Sequence, residues 1–184
     1  NELAYIQEVL ESGWLTTASK SKSLEDKFAS MLGVNHACAV NSCTSALHLA
    51  LEAVGVERGD KVLVPSMTFT ATAEVVCYLG ADPIFLDVDY ATSQLSKEIV
   101  ERGLKLYPDA KVVIVVDFAG QPAPLLMDLC HQKGVKLIAD AAHSFPSRLG
   151  DRIVGNLADI TCFSFYANKT ITTGEGGMLA TNDD

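Results

Sequence analysis

Short apolar runs alternate along the chain with longer stretches in which apolar and polar positions follow a helical period. The apolar runs predict seven strands, at residues 36–40, 61–64, 83–88, 111–116, 135–139, 159–163 and 177–181. The first five are rich in Val, Ile and Leu and show little alternation. That pattern is typical of strands buried on both faces of a sheet.

Helical patterns fill most of the segments between these strands. They predict helices at residues 2–12, 23–32, 44–54, 69–79, 96–106 and 124–133. Regular alternation of strand and helix is typical of an α/β domain in which right-handed crossovers connect parallel strands. We therefore predict a three-layer α/β/α sandwich around a mainly parallel, roughly seven-stranded sheet. Ligands of such sheets bind at the carboxyl ends of the strands.

The composition narrows the classes of function. The 184 residues are 48% hydrophobic, which suffices for one domain with a sizeable core. A net charge of −9 argues against nucleic acid as a partner, because little would neutralise the phosphates. No apolar run reaches the roughly 18 residues that a membrane-spanning helix needs, so we expect no membrane partner.

The five cysteines and four histidines are scattered singly along the chain. They form no CxxC pair and no spacing typical of metal ligands, so we expect no metal site. We interpret the cysteines as reduced thiols of a cytoplasmic protein. The chain begins at Asn1 without a Met and stops at Asp184, just after a strand-like run. We expect it to be a fragment of a longer polypeptide.

Two strand ends carry the most informative residues. Lys169 lies in a turn rich in Gly and Thr after the sixth predicted strand, and Asp140 directly follows the fifth. Such a pair suits pyridoxal 5'-phosphate, since the lysine forms a Schiff base and the aspartate pairs with the pyridinium nitrogen. Each residue alone has a simpler interpretation. A lone lysine is usually exposed, and a lone aspartate often caps a helix.

The turn after the first predicted strand places Ser42, Thr44 and Ser45 at the start of a helix. Free N–H groups at a helix start favour an anion, so a phosphate fits there with Thr44 and Ser45 as hydroxyl donors. Ordinary N-capping by Ser42 or Thr44 explains the same residues. For this motif alone, capping is the better-supported interpretation.

Three further residues follow strand ends. Phe69 and His143 have two interpretations each, and Ser164 has one. Phe69 suits stacking on a flat ring, but it equally suits a helix position that packs into the core. His143 suits a hydrogen bond to the phenolic oxygen of the cofactor, or a polar position in a surface loop. Ser164, at the end of the sixth predicted strand, is placed as a phosphate donor.

Along essentially its whole length, the chain resembles the sugar aminotransferases of the DegT/DnrJ/EryC1/StrS family, a branch of the fold-type I pyridoxal-phosphate enzymes. The resemblance is carried by segments 12–17 (SGWLTT), 41–48 (NSCTSALH), 59–66 (GDKVLVPS), 120–123 (GQPA), 140–143 (DAAH), 162–166 (CFSFY) and 172–177 (TTGEGG). The last segment, together with the lysine before it, is highly specific. The segment at 41–48 alone is weak.

The resemblance implies roles for the residues nearest the expected chemistry. Lys169 matches the Schiff-base lysine, and Asp140 matches the partner of the pyridinium nitrogen. His143 stands where the family has Gln or His near the phenolic oxygen. These are also the roles that the residues themselves suggest.

The resemblance implies cofactor contacts at four more positions. Phe69 matches the aromatic residue that stacks on the ring, and Thr44, Ser45 and Ser164 match contacts to the phosphate. Cys43 is a departure, because Gly or Ala is common at its position. A thiol is small enough to be tolerated there if only the backbone approaches the phosphate.

The resemblance also implies an activity. The expected reaction is a transamination in which an amino acid, with glutamate as the expected donor, gives its amino group to a nucleotide-linked keto sugar. Lys169 would act as the general base. The family further implies a homodimer with shared active sites. Residues 1–184 would be the cofactor-binding large domain, and a smaller C-terminal domain would lie outside this chain.

Three alternatives remain open. Some members of the family are sugar dehydratases, in which histidine replaces the Schiff-base lysine, so Lys169 favours transfer over dehydration. Another fold-type I enzyme, such as a cysteine desulfurase or a decarboxylase, is disfavoured by the segments around Lys169. A non-catalytic regulatory protein that binds the cofactor is disfavoured by the intact set of Lys169, Asp140 and Ser164.

Overall fold

The computed structural model describes residues 2–184, which alternate between helices and strands. The helices are α1 (Glu2–Ser12), α2 (Ser19–Leu32), α3 (Cys43–Ala53), α4 (Ala71–Tyr78), α5 (Lys97–Leu106) and α6 (Met127–Gln132), with a 3-10 turn at Phe118–Gly120. The strands are β1 (His36–Val40), β2 (Lys61–Pro65), β3 (Asp82–Leu86), β4 (Ala110–Val116), β5 (Lys136–Asp140), β6 (Arg148–Leu149), β7 (Arg152–Ile153), β8 (Ile160–Ser164) and β9 (Gly177–Thr181).

Seven of these strands form one sheet in the order β1-β9-β8-β5-β4-β2-β3. The pairs between β8 and β3 are all parallel, whereas β9 runs antiparallel to both of its neighbours, β1 and β8. The prediction of a mainly parallel, seven-stranded sheet is therefore confirmed. Strands β6 and β7 form a separate two-stranded hairpin.

Helices cover both faces of the sheet, which confirms the three-layer sandwich. Helices α3 and α4 pack on one face, where Leu47 and Val75 meet strand residues such as Val62 and Ile138. Helices α5 and α6 pack on the other face, around the core that contains Leu63 and neighbouring strand residues. Helix α2 covers that same face near β8 and β9.

Two strands differ from the expectation of burial on both faces. No residue of β1 is fully buried, and in β3 only Leu86 is. The physical reason is their position, since β1 and β3 are the two edges of the sheet. The central strands β2, β4 and β5 agree with the expectation, because nearly all of their residues are buried.

The predicted boundaries differ from the observed ones by at most four residues. The largest difference is at α2, which begins at Ser19 rather than at residue 23. Helix α4 begins at Ala71, so Phe69 precedes the helix instead of belonging to it. The hairpin of β6 and β7 was not predicted, because two-residue strands are too short to show a pattern.

Candidate active site

A cavity of about 580 Å³ opens at the edge of the sheet where the parallel strands end. We call it the strand-end cavity. Its walls come from the segments that follow β1, β2, β4, β5 and β8, and from the segment that leads into β9. Six of the seven residues predicted for the site line it: Thr44, Phe69, Asp140, His143, Ser164 and Lys169. The seventh, Ser45, does not.

Asp140 forms the buried wall of the cavity at the end of β5, where its residue is only 5% exposed. Three donors hold its carboxylate. Thr72 Oγ1 donates to Oδ2 at 2.8 Å, the Ala142 N–H donates to Oδ1 at 3.2 Å, and Cys43 Sγ donates to Oδ1 at 3.8 Å. Both oxygens are therefore fixed in direction.

Burial raises the pKa of Asp140, and the hydrogen bonds from Thr72 and Ala142 offset this effect only in part. His143 lowers the same pKa by its positive charge when protonated. A buried carboxylate without a full counter-charge is costly, so a cationic group placed against it is stabilised. The cavity is thus suited to a ligand that carries a positive charge at this wall.

A second buried carboxylate, Asp117, lies beside the first in the cavity wall and is 3% exposed. It accepts hydrogen bonds from Ser144 Oγ at 2.5 Å and from the Ala123 N–H at 2.8 Å. Burial raises the pKa of Asp117. Because Ser144 follows β5 and Ala123 follows β4, this carboxylate joins two of the loops that form the cavity. Asp117 was not among the residues predicted from the sequence.

Lys169 lies in a turn between β8 and β9 that is held by its own hydrogen bonds. The Lys169 N–H donates to the Tyr166 carbonyl at 3.0 Å, and Thr172 Oγ1 donates to the Phe165 carbonyl at 3.0 Å. The Gly174 N–H donates to Thr172 Oγ1 at 2.9 Å. The Gly- and Thr-rich composition of this segment therefore builds a tight turn that presents Lys169 to the cavity.

His143 also lines the cavity and is largely exposed. Burial lowers its pKa and the charge of Lys169 lowers it further, while Asp140 raises it. The imidazole is consequently neutral at neutral pH, with one nitrogen able to donate and the other able to accept. A neutral ring suits a hydrogen bond to a ligand oxygen.

The start of α3 combines capping with close backbone packing. Ser42 is the N-cap, and its hydroxyl accepts the Ser45 N–H at 3.1 Å, which confirms the capping interpretation for Ser42. Ser45 Oγ donates to Asn41 Oδ1 at 2.5 Å. Gly177 packs so closely that an added Cβ would lie 2.5 Å from the Ser42 carbonyl carbon. This packing positions the helix start, with Thr44 facing the cavity.

Phe69 and Ser164 complete the set of predicted residues. Phe69 is 75% exposed at the cavity rim, so the alternative that it packs into the core is wrong. It was expected in a helix, but its position before α4 leaves the ring free of the core. Ser164 is half-buried at the end of β8, and its hydroxyl accepts the Tyr166 N–H at 3.3 Å.

The cavity chemistry fits pyridoxal 5'-phosphate in three respects. A buried carboxylate offers a partner for a ring cation, and the start of α3 with nearby hydroxyl groups offers a cradle for an anion. Lysine offers the amine for a Schiff base. A volume of about 580 Å³ lies within the usual range for small-molecule sites, about 300 to 1,000 Å³.

No group of three or more His, Cys, Asp or Glu side chains is arranged to hold a metal ion among residues 2–184. In the same range, no helix has both the length and the apolar character that crossing a membrane requires.

The model of the DegT/DnrJ/EryC1/StrS aminotransferase family matches residues 1–184, and the chain belongs to this family. The resemblance of the sequence motifs is thereby confirmed. The fold agrees as well. The Streptococcus pneumoniae protein Spr1654, solved in PMP- and PLP-forms, superposes with a TM-score of 0.93 at 30% identity. The match covers 100% of this chain and 50% of Spr1654.

Two curated relatives show a similar extent of likeness. The spore coat polysaccharide biosynthesis protein SpsC of Bacillus subtilis is 40% identical over 185 residues, which are 100% of this chain and 47% of SpsC. The GDP-perosamine synthase of Vibrio cholerae is 38% identical over 187 residues, which are 100% of this chain and 50% of the synthase. The chain thus spans about half the length of these relatives.

Proposed function

We propose that this protein is a pyridoxal 5'-phosphate-dependent aminotransferase that moves an amino group from an amino acid to a nucleotide-linked keto sugar. The observation that carries the proposal is the meeting of Lys169 and Asp140 in one cavity at the carboxyl ends of the strands. Membership of an aminotransferase family supports it. Residues 1–184 are the cofactor-binding large domain in this proposal, and a smaller C-terminal domain completes the substrate site.

The cofactor, when bound, supplies an electron sink that stabilises negative charge on the α-carbon of an amino acid. Asp140 accepts the hydrogen bond of the protonated ring nitrogen, which keeps the ring cationic. Lys169 provides the amine that anchors the cofactor. A PLP-form of the related Spr1654 supports this choice of cofactor.

The remaining predicted residues hold the cofactor by weaker contacts. Thr44, Ser45 and Ser164 receive the phosphate together with the N–H groups at the start of α3. For Ser45 the backbone N–H is already bonded to Ser42 and the hydroxyl is bonded to Asn41, so its contribution requires a rearrangement. Phe69 covers the face of the ring.

Proton transfer falls to Lys169 and hydrogen bonding to His143. With the cofactor bound, the Lys169 amine would be the general base that takes the proton from the α-carbon of the amino donor. The same amine would hold that proton and give it back later in the reaction. The neutral imidazole of His143 would donate a hydrogen bond to the phenolic oxygen of the cofactor.

Glutamate is the donor in this proposal, and the acceptor is a keto sugar linked to a nucleotide. The relatives named GDP-perosamine synthase and spore coat polysaccharide biosynthesis protein support an acceptor of this class. Dehydration of the sugar is the alternative within the family. The presence of Lys169, where the dehydratases carry histidine, favours transfer.

We also propose a homodimer in the cytoplasm. Several large apolar side chains near the N-terminus are exposed in the single chain and would be covered by a second copy. They are Leu3, Ile6, Leu10, Trp14 and Leu15. Among residues 2–184 the five cysteines form no disulfide, which agrees with a reducing compartment. Light scattering on the purified protein measures the oligomeric state.

The test of the proposed function uses the full-length protein. Pyridoxal 5'-phosphate is added, the mixture is reduced with borohydride, and the modified residue is mapped by peptide mass spectrometry. A phosphopyridoxyl group on Lys169 supports the proposal, whereas modification of other lysines alone contradicts it.

A pair of lysine variants then links binding to turnover. Lys169→Ala is expected to abolish glutamate-dependent amination of a nucleotide-linked keto sugar while leaving the circular dichroism spectrum unchanged. Lys133→Ala, on the exposed end of α6, serves as the matched control and retains activity. Undiminished activity of Lys169→Ala would contradict the role assigned to Lys169. Absence of turnover in the wild type would favour a cofactor-binding regulatory protein.

A further inference from the structure

Thr72 is a fully buried hydroxyl residue in the first turn of α4, and the proposed function assigns it no role of its own. Its Oγ1 lies 2.8 Å from Asp140 Oδ2 and 2.7 Å from Thr68 Oγ1. Thr68 lines the strand-end cavity. A continuous chain of hydrogen bonds therefore runs from the cavity wall through the first turn of α4 to the Asp140 carboxylate.

The direction of these hydrogen bonds follows from the chemistry of the groups. An ionised carboxylate only accepts, so the single hydroxyl proton of Thr72 is directed to Asp140 Oδ2. The hydrogen bond between the two hydroxyls must then use the proton of Thr68, with Thr72 as acceptor. Each hydroxyl polarises the next, which strengthens the bond to the carboxylate.

Both oxygens of Asp140 are held, but by different parts of the chain. The Ala142 N–H and the Cys43 thiol donate to Oδ1, while Oδ2 receives its only described protein donor from Thr72. Loss of the Thr72 hydroxyl would leave Oδ2 without that donor in a water-poor wall. The carboxylate plane would then be fixed at one oxygen only.

We propose that Thr72 is a positioning residue of the cofactor site, which fixes the Asp140 carboxylate for its contact with the ring nitrogen. Through Thr68 the same chain of hydroxyls ties this carboxylate to the segment that carries Phe69, the neighbour of Thr68. The contact of Asp140 with the ring nitrogen and the contact of Phe69 with the ring face would thereby be fixed relative to each other. The inference rests on the proposed function, because it concerns the same cofactor.

A merely structural role of Thr72 predicts different behaviour. If the hydroxyl only completes the hydrogen bonding of the core, its loss lowers the stability of the fold and weakens the binding of every ligand of the cavity alike. If it positions Asp140, its loss weakens the binding of ligands that carry the ring nitrogen and leaves the binding of ligands that lack it unchanged. A ligand pair that differs at this atom alone separates the two roles.

The experiment measures dissociation constants for two ligands with the full-length protein. One ligand is pyridoxal 5'-phosphate, and the other is its analogue in which C–H replaces the ring nitrogen. The wild type is expected to prefer the natural cofactor. Thr72→Val, which has nearly the same shape, is expected to reduce this preference roughly tenfold, as for the loss of a hydrogen bond to a charged group. Thr72→Ser, which keeps the hydroxyl, should retain the wild-type preference within about threefold.

A second variant keeps the test decisive if Thr72→Val does not fold. Thr68→Val removes the donor to Thr72 and should reduce the preference by a smaller factor, about threefold. If the folded valine variants keep the wild-type preference unchanged, the role of Thr72 is overturned and the proposed function is not affected. Equal affinity of the wild type for the two ligands overturns the Asp140 assignment of the proposed function, and the role of Thr72 falls with it.

Discussion

The thiol of Cys43 and the carboxylate of Asp140 lie 3.8 Å apart in the cavity wall, although the two residues are 97 positions apart along the chain. Burial raises the pKa of Cys43 well above its usual value, and the negative charge of Asp140 raises it further. The thiolate is the reactive form of cysteine, so this thiol is unreactive at neutral pH. The departure from Gly or Ala at position 43 thus adds a weak donor to Asp140 rather than a nucleophile.

Cysteine labelling tests this assignment. We expect Cys38 and Cys77, which are exposed, to react with a maleimide at neutral pH before Cys43 does. Peptide mass spectrometry over a time course measures the order. Cys162, which is buried and whose pKa burial also raises, is the internal reference for an unreactive thiol. Labelling of Cys43 at the rate of Cys38 would contradict the raised pKa.

Replacement of Asp140 should stabilise the cofactor-free protein while it removes cofactor binding. The folded-state pKa of Asp140 is raised, so the folded state holds its proton more strongly than the unfolded state. The free energy of unfolding therefore falls as pH rises from about 4 through the folded-state pKa. Asp140→Asn avoids this loss, and we expect a gain on the order of 1 kcal/mol at neutral pH. Urea denaturation of the cofactor-free protein measures it.

The pH dependence of that gain separates charge from other effects. The difference between Asp140→Asn and the wild type should shrink as pH falls toward about 4, because the raised pKa lets the folded wild type take up a proton on Asp140 before the unfolded state does. Asp151→Asn, at an exposed turn, is the matched control and should change stability little. A wild type more stable than Asp140→Asn at neutral pH would show that the carboxylate is net stabilising without the cofactor.

Thr161→Val should stabilise the fold. Thr161 is fully buried in β8, and its hydroxyl is the one buried side-chain oxygen without a hydrogen-bond partner in the described part of the chain. An unsatisfied buried hydroxyl is costly, so its replacement by a methyl group should raise the free energy of unfolding by about 1 kcal/mol. Chemical denaturation measures the change. Thr181→Val is the matched control, because the Thr181 hydroxyl donates to the Asp159 carbonyl at 2.8 Å, and it should be destabilising by about 1 kcal/mol. If both variants changed the free energy of unfolding in the same direction, the prediction would be wrong.

Gly177→Ala should disturb the start of α3. The added methyl group would meet backbone atoms of Ser42 and Cys43 at 2.5 to 2.7 Å, and backbone moves less easily than a side-chain end. We expect a loss of about 1–3 kcal/mol of stability and weaker binding of pyridoxal 5'-phosphate. Thermal denaturation and ligand titration measure the two effects.

Gly103→Ala is the matched control for this crowding. Its methyl group would meet the side-chain ends of Leu86 at 2.8 Å, on the opposite face of the sheet from α3. It should lower stability without changing the dissociation constant of the cofactor. If both glycine variants bind the cofactor as the wild type does, the start of α3 has no part in holding the phosphate.

The sequence was sufficient to predict most helices and strands, because apolar runs and helical periods are local patterns. It did not reveal which strands are edges, since the neighbours of a strand are set by pairings over long separations, such as His36 with Thr181. The apolar run at residues 36–40 therefore suggested a buried β1 where the structure has an edge. The hairpin of β6 and β7 was not predicted, because strands of two residues are too short to show a periodic pattern.

For the site, the rule that ligands bind at strand ends brought Lys169, Asp140 and Ser164 together. The same rule could have found Asp117, which directly follows β4. Thr72 gave no such signal, because a threonine within an apolar helix is ordinary. Its significance depends on a contact with a residue 68 positions away. Contacts of this kind follow from how helices rest on the sheet, which a local pattern does not encode.

The position of β9 has a consequence for how the sheet folds. This strand follows the other six strands of the sheet in sequence, yet it lies between β1 and β8 and supplies the hydrogen-bonding partner of both. Strand β1 has no other neighbour in the sheet, and its pairing joins residues as far apart in sequence as His36 and Thr181, so closing the loop between them is slow. Pairing of β8 with β9 also closes the turn that carries Lys169. The edge of the sheet and this turn therefore depend on the placement of a single strand during folding.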